Sequence, residues 1–260
     1  MLLAIDIGNT HTVLGIFHNK KLIAHWRVSS LVLRTEDEIF LLVKNLCEHQ
    51  KISTKKIRSV GISSVVPNLT DVYERMAKKY FHSEPLLVSA SLNLGINIHY
   101  EDPFAVGADR LCNTIAAFEK YKSACIVIDF GTATTYDVIA KNGDYLGGVI
   151  TAGLETIASE LHRRAAKLPK VELHFPKTAI GKNTVASMQS GILFGAVDSL
   201  EGMIKRLKKE VGEATVIATG GLASLVQQKT KMIDAIEPWL VLEGIRLIAE
   251  KVRRKNNQEK

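Results

Sequence analysis

Apolar positions along this chain fall into short runs that reach a carboxylate and resume after a small polar corner. The first run, Leu2-Leu3-Ala4-Ile5-Asp6-Ile7, is followed by Gly8-Asn9-Thr10 and then by His11-Thr12-Val13-Leu14-Gly15-Ile16-Phe17. That pattern predicts a strand, a tight turn and a returning strand, with Asp6 where the first strand stops. Gly8 permits close approach of a ligand to the backbone, and Asn9 and Thr10 supply hydrogen-bonding side chains. The pattern recurs in Cys125-Ile126-Val127-Ile128-Asp129-Phe130-Gly131-Thr132-Ala133-Thr134-Thr135, with Val138-Ile139-Ala140 as the returning strand. Asp6 and Asp129 lie 123 residues apart in a chain of 260, close to half its length. One Asp-x-Gly corner per half predicts a duplicated domain with a site in the cleft between the copies.

Between the corners the period changes. Leu22 to Val28 predicts a third strand. Thr35-Glu36-Asp37-Glu38 reads as a capping box ahead of Ile39, Leu42, Val43 and Leu46 at helical spacing. A strand over 57–66 ends at Pro67, a helix follows over 68–81, and Pro85 to Val88 is a short strand. Ile98 to Arg110 reads as a loop entering a helix whose buried face is Leu111, Ile115 and Phe118. In the second half, Asn142-Gly143 signals a hairpin, 154–166 an amphipathic helix and 171–175 an extended segment. A long helix follows Gly181-Lys182-Asn183-Thr184, with Met188, Ile192 and Leu193 on one stripe and Val185 and Phe194 off it. Thr215 to Ala218 is a strand running into Thr219-Gly220-Gly221, which is either a seat for a flat ring or a plain turn into a helix. The last helix is expected over 239–252. The expected organisation is therefore an N-terminal domain over 1–122, a C-terminal domain over 123–252 and a basic tail over 253–260.

Composition removes other classes. At 46% hydrophobic residues the chain can build real cores. Met1-Leu2-Leu3 lacks a basic leader and Asp6 interrupts the apolar stretch, so no signal peptide is expected. No run approaches the length of a membrane span, and the expectation is a soluble, cytoplasmic protein without membrane contact. The net charge of +7 is concentrated at the end, where the last ten residues hold five Lys or Arg and one Glu. Such a tail reads as a solvated end rather than a nucleic-acid arm. Cys47, Cys112 and Cys125 are odd in number, far apart and set among apolar residues, as reduced structural thiols are.

Asp109 falls in the first turn of its helix, where spacing alone makes it a carboxylate matched to the helix dipole. The adjacent Arg110, in the same exposed first turn, reads equally as a solvated charge.

Taken together, Asp6-Ile7-Gly8-Asn9-Thr10, Gly107-Ala108-Asp109-Arg110, Asp129-Phe130-Gly131-Thr132-Ala133-Thr134-Thr135, Gly181-Lys182-Asn183-Thr184 and Thr219-Gly220-Gly221 resemble the type III pantothenate kinases, within the actin-like ATPase superfamily. The resemblance runs in order along nearly the whole chain up to about Val252. It implies an α/β fold of two duplicated actin-like ATPase (ribonuclease H-like) domains, each a mixed β-sheet flanked by helices, with ATP in the cleft between them. The implied reaction is transfer of the γ-phosphoryl group of ATP to pantothenate, giving 4′-phosphopantothenate, the first step towards coenzyme A. The phosphates would be held by the corner Asp6, Ile7, Gly8, Asn9, Thr10, His11, Thr12 and Val13 and by Thr132, with His11 only a turn residue. Asp6 would take Mg²⁺ through water, and Asp109 would act as general base. Tyr100, Gly107, Ala108, Asp109, Arg110 and Thr184 match positions of the pantothenate pocket. Asp129 matches a ligand for a monovalent cation, K⁺ or NH₄⁺; the residues alone offer it equally as a second Mg²⁺ carboxylate. The family is dimeric, which implies a homodimer with its interface near the pantothenate pocket and Asp129. The alternatives are a kinase of the same fold acting on another small molecule and a non-catalytic regulatory relative. Retention of Asp6, Asp109 and Asp129 argues against the latter.

Overall fold

Both halves of the repeat build a sheet of the same wiring. A computed structural model describes residues 1–258, with side chains through Arg254. The first half forms β1 (Leu2–Ile7), β2 (His11–His18), β3 (Lys21–Ser29), α1 (Glu36–His49), β4 (Ser59–Ser64), α2 (Pro67–Phe81), β5 (Leu86–Leu87) and α3 (Ala108–Tyr121). The second forms β6 (Cys125–Phe130), β7 (Ala133–Ile139), β8 (Tyr145–Ala152), α4 (Leu154–Arg164), α5 (Thr184–Val211), β9 (Thr215–Gly220), α6 (Ala223–Gln227), β10 (Ala235–Ile236) and α7 (Leu240–Gln258). The strand orders are β3-β2-β1-β4-β5 and β8-β7-β6-β9-β10. In each sheet the first three strands run antiparallel and the last two join in parallel. The register repeats as well: Asp6 pairs with Val13 and Ser63, and Asp129 pairs with Thr135 and Thr219.

The chain gathers into two compact units, Met1–Ala116 together with the chain from Trp239 onward, and Ala117–Pro238. Residues 239–252, expected with the second half, thus join the first. In the first unit, Leu3, Ile5 and Ile7 pack with Ile39 and Val43 of α1 and with Tyr73 and Met76 of α2. The other face of the same sheet is floored by Gly15 of β2 and Gly61 of β4 and takes α7. A Cβ on Gly61 would lie 2.6 Å from Ile245 Cγ2, and one on Gly15 would lie 2.7 Å from Leu242 Cδ1. Burial on both faces explains why the strands read as apolar runs rather than as strict alternation. In the second unit, Ile126, Ile128, Val216 and Ala218 pack against Met188, Ile192, Leu193 and Val197 of α5.

Local signals hold at their expected places. Thr35 and Glu38 form the reciprocal capping box of α1. The Asn142-Gly143 hairpin turns on Gly143 at φ 93°, a conformation that suits glycine. The 171–175 segment carries no strand pairing, although Leu173 and Phe175 pack on the second core. Of the basic tail expected over 253–260, the backbone through Gln258 continues α7, and the remainder lies outside the described residues. Cys47, Cys112 and Cys125 are free and buried. No helix among the described residues is long and apolar enough to cross a membrane.

Candidate active site

The first corner is a four-residue link, Gly8 to His11, between the ladder partners Ile7 and Thr12. The Gly8 amide donates to His11 O at 3.0 Å, closing the turn. The Ser30 amide donates to Thr10 O at 3.0 Å, and the Thr12 and Ser30 hydroxyls bond at 2.9 Å, so the end of β3 braces the corner. Thr12 is buried in that brace, Val13 is half-buried, and Asn9 and His11 are exposed at the tip. Asp6, half-buried at the end of β1, accepts from Ser63 Oγ at 3.1 Å.

The second corner is one residue shorter, with Gly131, Thr132 and Ala133 between the partners Phe130 and Thr134. Gly131 N donates to Ala133 O at 3.1 Å. Thr132 O accepts from Gly153 N at 3.0 Å and from Thr156 Oγ1 at 2.6 Å, which pins the corner to the start of α4. The Thr132 side chain stays exposed. Asp129 lies half-buried beside glycines: a Cβ on Gly220 would fall 2.7 Å from Asp129 Oδ1 and 2.5 Å from Phe130 O. Gly220 is at φ 89°, so this recess is kept open by the backbone as well as by the missing side chain.

The start of α3 supplies the third carboxylate. Asp109 Oδ1 accepts from the Arg110 amide at 2.8 Å. It folds back over Gly107, where a Cβ would meet it at 2.5 Å, so only glycine leaves room for this pose. Burial raises the Asp109 carboxyl above its ordinary range, outweighing the amide of Arg110 and the nearby guanidinium, which both favour the charge. Arg110 is itself buried, not a solvated charge. Asp109 and Asp6 both act on Cys112: burial first, then the two negative charges, push its thiol well up. The first unit therefore brings Asp6 and Asp109 together around one buried thiol.

Ala108 is buried and Gly107 half-buried at the head of α3, and Tyr100 is exposed on the approach to it. Thr184 is exposed at the first position of α5, where the Asn183 side chain caps the helix by accepting from Ala186 N at 2.8 Å. Tyr100 belongs to the first unit and Thr184 to the second. No cluster of three or more His, Cys, Asp or Glu able to cage a metal exists among the described residues. Asp6, a single carboxylate anchored on one oxygen, suits Mg²⁺ that keeps most of its own water. The glycine-walled recess at Asp129, with Phe130 O beside it, offers the oxygen donors that a weakly hydrated cation takes.

Sequence reasoning missed Ser63. The signal for Ser63 is a serine pair closing an otherwise apolar strand, but its partner is set by parallel pairing across 57 residues.

A profile of the type III pantothenate kinase family matches residues 2–206. The type III pantothenate kinase of Bacillus cytotoxicus is 46% identical over 252 residues, covering 96% of each chain. That of an Exiguobacterium species is 46% identical over 251 residues, covering 96% of this chain and 99% of its own. Among solved structures, a Campylobacter jejuni chain assigned to the Baf family of transcriptional activators aligns with TM-score 0.59 at 17% identity, covering 97% and 99% of the two chains. The activator of 2-hydroxyisocaproyl-CoA dehydratase from Clostridium difficile, with bound ADPNP, aligns with TM-score 0.54 at 14% identity over 100% and 97%. The ROK hexokinase of Thermus thermophilus aligns with TM-score 0.53 at 14% identity over 96% and 99%. At these identities the structures speak for the shared actin-like ATPase fold.

Proposed function

The chain belongs to the type III pantothenate kinase family, and on that premise we propose how its residues divide the work of the reaction. The reaction is ATP-dependent phosphorylation of pantothenate to 4′-phosphopantothenate, in coenzyme A biosynthesis. Phosphoryl transfer asks little covalent chemistry of the protein, so catalysis rests on positioning and charge neutralisation. The observation that carries the assignment is the pair of carboxylates around Cys112, one hydroxyl-anchored and one raised by burial.

Asp109 is the general base. A carboxyl raised towards neutrality accepts a proton from an attacking hydroxyl better than an ordinary one. Arg110, permanently charged, pairs with a phosphate or with the pantothenate carboxylate. Asp6 orients the water shell of Mg²⁺, which when bound neutralises charge on the transferring phosphates. The amides and side chains of Gly8 to Val13 and the exposed Thr132 hydroxyl hold the phosphate chain. Tyr100, Gly107, Ala108 and Thr184 line the pantothenate pocket. Asp129 and its recess hold K⁺ or NH₄⁺, and the protein works as a homodimer through the open side of α5.

The test is phosphate transfer from ATP with and without pantothenate, followed by mass detection of the phosphorylated product. Pantothenate-dependent ADP release with formation of 4′-phosphopantothenate is expected. ATP turnover indifferent to pantothenate, or directed to another hydroxyl in a substrate panel, would overturn the assignment.

A further inference from the structure

Two adjacent serines end β4, and they point to opposite faces with opposite jobs. Ser64 serves the fold: its hydroxyl accepts from Val66 N at 3.1 Å and takes the Thr70 hydroxyl at 2.7 Å, which organises the entry to α2. Ser63 makes no such local bond. It is 0% exposed, and its hydroxyl donates 3.1 Å to Asp6 Oδ1 on the neighbouring parallel strand. The fully buried Cys112 of α3 is its neighbour.

A serine has one proton, and Ser63 gives it to the carboxylate. The carboxylate at the end of β1 is thereby tied to the neighbouring parallel strand by a hydroxyl that burial itself holds in place. A carboxylate that must face a ligand shell with one oxygen gains from having the other fixed in place. The duplication supports this reading: in the second copy a hydroxyl residue again stands opposite the corner aspartate, Thr219 beside Asp129, and it too is buried.

We propose that Ser63 is a positioning residue for Asp6, whose hydrogen bond fixes the carboxylate towards Mg²⁺–ATP. The proposal rests on the reading of Asp6 given above. It predicts that Ser63 matters for the metal-dependent part of nucleotide binding and not for pantothenate.

Calorimetric titration of ADP, with Mg²⁺ and again with EDTA, tests it on the full-length protein. Wild type should bind ADP more tightly with Mg²⁺ than with EDTA. Ser63→Ala should weaken the Mg²⁺ value by about tenfold, the scale of one hydrogen bond to a charged group, and leave the EDTA value and the KM for pantothenate unchanged. Ser63→Cys, close in size but a weaker donor, should move the same quantity in the same direction by less, and it carries the test if Ser63→Ala does not fold. Asp6→Asn separates the two layers. If Asp6→Asn loses the Mg²⁺-dependent gain while Ser63→Ala and Ser63→Cys keep it, the positioning role is overturned and the Asp6 reading stands. If Asp6→Asn also keeps it, the Mg²⁺ reading falls and the positioning role with it. Equal weakening with Mg²⁺ and with EDTA in Ser63→Ala marks a merely structural serine and overturns the proposal.

Discussion

The Asp109 carboxylate lies over the first turn of α3, and burial raises its pKa even though the Arg110 amide and guanidinium favour its charge. The folded protein thus holds this proton more tightly than the unfolded chain does. The stability the group contributes is fully present below the ordinary Asp value and is lost as pH rises through the raised one. Above the raised value the ionised carboxylate is therefore a cost to the fold. Asp109→Asn should raise Tm at neutral pH, and the gain should shrink as pH falls towards about 4. Turnover should fall about 10²–10⁴-fold with ATP binding kept. A variant that is both fully active and no more stable would remove the general-base role. Asp129 belongs to the same scale. Asp129→Ala should bring the rates in K⁺, NH₄⁺ and Na⁺ to parity, read from initial velocities. K⁺ activation that persists would return this carboxylate to the Mg²⁺ role. Asp6 and Asp129 were visible in the sequence because each closes an apolar run two residues before a glycine, whereas spacing made Asp109 only a helix-dipole carboxylate and the family resemblance alone pointed to it as a base. Ser63 was not visible, because its significance lies in a strand pairing register that no local pattern encodes.

At the scale of elements, α5 shows where periodicity informs and where it misleads. Its apolar stripe is buried as the spacing predicts, with Met188, Ile192 and Leu193 in the core. Phe194, off that stripe, is absorbed within its own unit by Phe175 at a ring distance of 5.3 Å, and Val185 stays exposed. The open side is instead marked by small residues. Ser187, Gly191, Gly195 and Ser199 recur every four residues along a groove of about 390 Å³ shared with α4 and β8. Nothing lies within 4 Å of the positions a Cβ would take on Gly191 and Gly195. A helix with a flat floor of this kind lets another backbone come close. Hydrophobicity counting passes over it, because glycine and serine carry no apolar signal. For the homodimer this gives a direct test. Gly191→Leu should fill the groove and halve the mass seen by light scattering. The folded protomer should meanwhile gain about 0.5–1 kcal/mol from helix propensity. A Gly191→Leu protein with the wild-type mass would take α5 out of the interface, and a wild-type protein that is monomeric and fully active would remove the dimer.

For the whole molecule, the duplication was legible and the path of the chain's last helix was not. Two Asp-x-Gly corners half a chain apart announce two sheets of like topology, and both sheets carry the same strand order. An amphipathic helix at the end of the second half, however, states only that it needs an apolar surface, not which sheet provides it. The answer lies in Gly15 and Gly61, whose missing side chains open the first sheet to α7. Trp239 packs on His25 at 3.8 Å between ring centroids, and Arg246, held by Glu243 and Glu250 of the same helix, lies over the Phe17 ring, so both residues join the helix to the sheet. Leu242, Ile245 and Ile248 are at most 2% exposed. At about 1.5–3 kcal/mol for each such side chain, their removal costs about 5–9 kcal/mol, as much as many domains have in total. A protein ending at Pro238 should therefore lose its cooperative thermal transition by circular dichroism, although the cut falls in sequence within the second half. A protein ending at Arg254 should keep both its Tm and its turnover. Gly61→Val, which drives a branched side chain into Ile245, should reproduce part of the loss at about 1–3 kcal/mol. A Pro238-terminated chain that melts like the wild type would mean that α7 only covers the first sheet and does not hold it together.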